Sequence, residues 1–197
     1  MTGVQTCALP ILLSQALALA DWSGFAARRA QSERRGKLRG IGISTVIEAS
    51  GAGNAPKDEV ELTLDANGTV TLYTVSKAQG HGHETTLGTI VARALGITLD
   101  RVKVVQCAPG STLIGGHTGG SRTTVGVGSV SHLGALKLIE EGKALAALEL
   151  NLEPSQIQYA KGEFTSSESK RKLKLADIAK AKTLSVLVGG KIGRAHV

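Results

Sequence analysis

The chain has 197 residues, of which 42% are hydrophobic, and a mean hydropathy of +0.07, enough for one sizeable core or two small ones. Aromatic residues make up only 3% while glycine fills 25 positions, so the core has to come from Leu, Ile, Val and Ala joined by many tight turns. A net charge of +7 and a pI near 9.6 raise the question of a polyanion partner, yet neither basic group (Arg28, Arg29, Arg34, Arg35, Lys37, Arg39; Lys170, Arg171, Lys172, Lys174, Lys180, Lys182) is interleaved with aromatic residues, which disfavours nucleic acid and leaves solvated faces.

In chain order, the opening MTGVQTCALPI matches no regular element, and neither does the closing KIGRAHV. Both resemble translated sequencing-adapter tails, so residues 1–11 and 191–197 are read as non-native and 12–190 as one domain, incomplete at both ends. The apolar run 7–13 is too short to span a bilayer and lacks a basic lead, so no membrane segment is expected. Leu13, Ala16, Leu17, Ala20, Phe25 and Ala26 recur at helical spacing, which predicts one helix over 12–35 with Gly24 as its weak point; Trp22 and Phe25 read as packing residues. The β-branched stretch 38–48 predicts a strand. Val60, Leu62 and Leu64 then alternate with Glu59, Glu61 and Thr63, and Asp65-Ala66-Asn67-Gly68 turns the chain into 69–75, which predicts a β-hairpin.

Leu87, Ile90, Val91, Ala94 and Leu95 predict an amphipathic helix stopped by Gly96. A strand is expected over 101–106, a long helix over 125–150, short strands within 156–164 and 172–175, and a small helix at 176–181. Mixed helices and local hairpins without a repeat make the class α+β. Two cysteines, Cys7 and Cys107, build neither a disulfide framework nor a CxxC site, so a reduced, cytoplasmic setting is expected. Cys107, alone after a strand, reads as core rather than as a nucleophile.

Two glycine-rich loops carry the chemistry, and each immediately precedes a helix. The first is Gln79-Gly80-His81-Gly82-His83; the second contains Gly119-Gly120-Ser121-Arg122-Thr123. Helix N-termini offer unpaired N–H groups and a positive dipole end, so both loops suit an anionic ligand such as a pyrophosphate. In the second, Ser121, Thr123 and Thr124 add hydroxyl donors and Arg122 a fixed cation. Neither loop fits the P-loop or the dinucleotide fingerprint. His81, His83 and His117 lack a nearby Cys or Asp, so no metal ligand set is assigned.

These segments in order resemble the cofactor-binding large subunit of the molybdenum hydroxylases, the family of xanthine dehydrogenase, aldehyde oxidase and aerobic carbon monoxide dehydrogenase. The resemblance runs from ALALADWSGFAARRA and GKLRGIGISTVIEASG through QGHGHETTLGTIVARALGITLDRVKVV to GGHTGGSRTTVGVGSV. It implies a molybdenum–molybdopterin cofactor, with the cytosine dinucleotide form left open, held by Gln79, Gly80, His81, Gly82 and His83 on one loop and Gly119, Gly120, Ser121, Arg122 and Thr123 on the other. It also implies an iron–sulfur partner, a FAD partner, the remainder of the large subunit and a small-molecule substrate. Two departures stand out: His81 replaces a glutamine that the family sets between glycines, and Cys107-Ala108-Pro109-Gly110 replaces a Gly-Asp-Thr-Asp-like run. The family's catalytic glutamate lies beyond this chain, and Glu48, Glu84 and Glu163 do not occupy its position, so no catalytic residue is assigned. The implied activity is hydroxylation of an aldehyde, N-heterocycle or related small substrate with oxygen from water, the fragment alone being inactive. A basic nucleic-acid module and an inert fragment are the competing readings.

Overall fold

The computed structural model describes residues 4–45 and 57–190, in two compact units, Met1–Ile47 and Glu48–Val197. In the first unit the expected helix is two: α1 (Val4–Leu19), which reaches back into the segment read as a tail, and α2 (Phe25–Glu33). The break falls at Asp21, which sits in the left-handed region (φ 45°). Its carboxylate accepts from Gly24 N at 3.2 Å and pairs with Arg28, and these local bonds satisfy backbone and charge where the helix would have continued. Trp22 lies in this break and is 39% exposed, contrary to its reading as a packing residue; Phe25 is half-buried, with the Arg28 guanidinium 6.0 Å from its ring centroid.

The strand expected over 38–48 does not form across 38–45, and 46–48 lie outside the described residues. Leu38 is 97% exposed, and no described strand runs alongside this segment. β-Branched composition favours a strand only where a neighbour takes up its ladder of N–H and C=O groups.

The second unit is built on the predicted hairpin. β1 (Asp58–Leu64) and β2 (Val70–Thr74) pair antiparallel, with Leu64 opposite Val70. Asp65 makes the turn: its Oδ1 accepts from Asn67 N and Thr69 N at 2.9 and 3.0 Å. From β2 the chain crosses over through α3 (His83–Leu95), capped as expected by Gly96 at φ 62°, into β3 (Val102–Gln106), which lies parallel to β2. A parallel pair needs such a crossover. α4 (Val127–Leu150) follows, then β4 (Gln158–Ala160), β5 (Glu163–Thr165), β6 (Leu173–Lys174) and α5 (Leu175–Ala181).

The last strand, β7 (Leu184–Gly190), has no counterpart among the expected elements; it pairs antiparallel with β1 and completes a sheet of order β3-β2-β1-β7. Strands β4, β5 and β6 form a second small sheet. One face of the larger sheet, carrying Val60, Leu62, Leu64, Val70, Leu72, Leu184 and Val186, is buried; α4 packs on β1 and β7, and α3 on α4 and β3. The period-2 pattern that predicts the hairpin is thus the pattern of burial.

Tyr159 joins the small sheet to α3. Its hydroxyl donates to Leu95 O at 2.7 Å, a carbonyl in the last turn of α3 with no partner inside the helix. Burial pushes the phenol well above its ordinary range, so the proton stays available for this bond. Tyr159→Phe is therefore expected to lower stability by about 1–3 kcal/mol, the cost of a stranded buried carbonyl, measurable as a shift in urea midpoint with unchanged slope. Among the described residues, no helix is long and apolar enough to cross a membrane.

Candidate functional site

The two glycine-rich loops, some forty residues apart in sequence, line one cleft of about 540 Å³ together with the first turn of α3. That volume is within the range of small-molecule and cofactor sites. Gln79, His81 and His83 line it from the first loop, and Gly119, Gly120, Ser121, Arg122 and Thr123 from the second, with Thr86, Leu87, Thr118 and Thr124 completing the wall. Gly80 and Gly82 are backbone turning points beside the cleft rather than part of its lining. Gly82 caps α3 in the left-handed region (φ 67°), and a side chain there would be strained even though the space around it is open.

The loops are stitched to each other beneath the cleft. Ser76, fully buried just after β2, bonds through its hydroxyl to the hydroxyls of Thr118 and Thr123 at 2.9 and 3.2 Å, and Thr118 Oγ1 donates to Lys77 O at 2.6 Å. The Gln106 side chain, at the end of β3, accepts from Ala78 N and donates to Glu84, so one amide ties the entry of the first loop to the start of α3. His81 closes its own loop: Gln79 N donates to its Nδ1 at 3.2 Å, and its ring lies 5.4 Å from that of His83. The residue standing where the resemblance expects a glutamine is thus partly occupied in holding the turn.

Arg122 is not a free cation. It is 5% exposed, and its Nη2 donates to both carboxylate oxygens of Asp58, at 2.8 and 2.7 Å. Asp58 is equally buried at the start of β1, and its Oδ1 also accepts from Gly116 N at 3.2 Å. A Cβ on Gly116 would collide with the Arg122 guanidinium and one on Gly126 with the Asp58 carboxylate, so these glycines are required by close approach. Next along β1, Glu59 Oε2 accepts from Ile114 N at 2.9 Å; the Lys57 ammonium, and then this bond, hold its carboxyl below the ordinary carboxylate range.

Sequence reasoning passes over Asp58, although a signal is present: it shares the inward parity of Val60, Leu62 and Leu64, and a carboxylate at an inward position calls for a cation. Cys107 also corrects an expectation. It is exposed rather than core, with φ 50° and its thiol donating to Val75 O at 3.1 Å, because the chain leaves β3 in a left-handed turn that swings the side chain outward.

Among the described residues, two buried side-chain nitrogens have no hydrogen-bond partner, and both belong to residues that line the cleft: His83 Nδ1 and Arg122 Nε. Orphans of this kind are rare in folded proteins. Beside hydroxyls and a helix N-terminus, they suit the oxygens of an anionic or strongly polar ligand. Among the described residues, no three His, Cys, Asp or Glu side chains converge as a metal ligand set.

A family model described as a molybdopterin cofactor-binding domain matches residues 15–193. The chain is 29% identical over 175 residues to the nicotine 6-hydroxylase large subunit of Paenarthrobacter nicotinovorans, covering 83% of this chain and 21% of that protein. It is 29% identical over 168 residues to the carbon monoxide dehydrogenase large chain of Afipia carboxidovorans, covering 76% and 20% respectively. A crystal structure of a Cu,Mo-CO dehydrogenase superposes with a TM-score of 0.65 at 24% identity, over 92% of this chain and 26% of that one. The chain therefore spans about a fifth of the length of the curated relatives it matches.

Proposed function

The chain belongs to the molybdopterin cofactor-binding domain family, and on that premise we propose that its cleft seats a molybdenum–molybdopterin cofactor, the cytosine dinucleotide form included, in the large subunit of a molybdenum hydroxylase. The observation that carries this reading is the convergence of the two loops on one cleft whose lining residues His83 and Arg122 each keep, among the described residues, a buried nitrogen without a partner. The donor set fits such a group. The α3 N-terminus and the hydroxyls of Ser121 and Thr124 address phosphate oxygens, and the His83 imidazole addresses a polar heterocycle or oxygen.

When bound, the cofactor would supply the redox chemistry, hydroxylating an aldehyde, N-heterocycle or related small substrate with oxygen from water, as in enzymes of the xanthine dehydrogenase and aldehyde oxidase type. The contribution of this chain is to bind and orient. The Ser76–Thr118–Thr123 hydroxyl cluster ties the two loops together and the Gln106 bridge braces the first loop against α3, which spares the ligand the cost of ordering them. No general base is assigned to this chain. The proposal includes a cytoplasmic complex in which the remainder of the large subunit, an iron–sulfur partner and a FAD partner complete the enzyme.

The test is to express this segment within its full-length subunit and measure molybdenum and released pterin. Near-stoichiometric pterin is expected, reduced about tenfold by Ser121→Ala combined with Thr124→Ala, which removes two hydroxyl donors without touching the buried ion pair. A folded, intact subunit carrying no pterin would refute the reading.

A further inference from the structure

We infer that Asp58 is the positioning residue of the second loop: acting through Arg122, it fixes the loop's backbone and takes up the guanidinium charge, so that the loop faces the cleft with neutral donors. The inference rests on reading the cleft as an anion site. Both partners are nearly inaccessible, with side chains 5% and 4% exposed, and Arg122 Nη2 donates to both carboxylate oxygens. Asp58 also takes the Gly116 amide, while Arg122 Nη1 reaches back to His117 O at 3.4 Å and Arg122 O accepts from Gly126 N at 2.7 Å. The single carboxylate thereby anchors the loop's beginning, its middle and its junction with α4.

The next residue repeats the anchoring, since Glu59 N donates to Ile114 O at 2.7 Å and Glu59 Oε2 accepts from Ile114 N. The start of β1 is a dock for the loop. With both Nη2 bonds spent on Asp58 and Nη1 turned to His117 O, the guanidinium nitrogen without a partner among the described residues is the buried Nε. Among the described residues, the cleft lining holds no lysine and no carboxylate. An anion in it is recognised by N–H and O–H groups of fixed direction, which select geometry, more than by a mobile countercharge, which would attract any anion.

Hydrogen–deuterium exchange on the 197-residue chain separates this role from general stability, with inorganic pyrophosphate titrated calorimetrically as the second arm. In Asp58→Asn, amides of residues 115–124 should exchange about tenfold faster while those of β2 and α3 keep their rates, and pyrophosphate should bind about tenfold more weakly. If that variant fails to fold, Asp58→Asn with Arg122→Gln removes both charges without stranding either and should show the same local loosening. An unchanged loop in a folded variant, or acceleration spread equally over all elements, overturns the proposal. So does a loosened loop that binds pyrophosphate as tightly as before. A loosened loop in a chain whose parent takes up no pyrophosphate upholds the anchoring by Asp58 and overturns the anion reading of the cleft instead.

Discussion

Arg122→Ala is expected to lower the unfolding free energy by about 3–5 kcal/mol, because it leaves the Asp58 carboxylate buried with its countercharge gone. Among the described residues, the partner left to that carboxylate would be the Gly116 amide, one hydrogen bond against a full charge. The Lys143–Glu140 pair on α4, with side chains 26% and 68% exposed, supplies the contrast: Lys143→Ala should cost about 0–1 kcal/mol. Urea unfolding of the two variants in parallel decides the matter, and equal small losses would mean that the ion pair contributes little in this fold. The comparison also bears on site mapping. Loss of cofactor in an Arg122 variant would mix a damaged loop with a lost contact, which is why Ser121 and Thr124 are the cleaner probes of the cleft.

Phe164→Ala is the second large effect, expected at about 3–5 kcal/mol. Phe164 is fully buried in the middle of the small sheet, opposite Tyr159 on one side and Leu173 on the other. Its ring centroid lies 4.7 Å from that of Tyr159, and its ring edge presses against Gly142 of α4 so closely that a Cβ there would overlap it. Truncation removes the ring from three neighbours at once, and backbone packed this tightly has little freedom to collapse into the gap. Tyr159 would lose the wall that aims its hydroxyl at Leu95, so melting of the variant should be preceded by faster amide exchange at the C-terminal end of α3. A loss under 1 kcal/mol would show that the small sheet adds little to the stability of the unit.

Periodic elements are legible in the sequence alone. The alternation at 59–64 and the spacing of Leu87, Val91 and Leu95 each declare one buried face, and a single buried face is enough to define a strand or a helix. Strand β7 escapes because Leu187, on its outward side, is apolar and 55% exposed, which blurs the alternation of Leu184, Val186 and Val188. The stretch 38–45 misleads in the opposite direction: its composition suits a strand, but pairing is a property of two segments and composition reports on one. The cleft is half-legible. Glycine, histidine and hydroxyl residues ahead of two helices mark both loops, whereas the partner of Arg122 lies 64 residues away and no local pattern reports a distance of that kind. Read from its own loop, Arg122 meets the ligand with its charge; in the fold that charge meets Asp58.

The register of the central sheet has one more implication. Asp58, at the beginning of β1, is paired with Gly190, at the end of β7, so the chain enters and leaves this layer side by side, on neighbouring antiparallel strands. A segment with that geometry behaves like a plug on a two-wire lead. It can be spliced into a host polypeptide, or exchanged between hosts, without prying apart the flanking sequence, because the gap it must bridge is the width of one strand pair. Relatives about four times as long as this chain are the kind of host in which such a module can be carried.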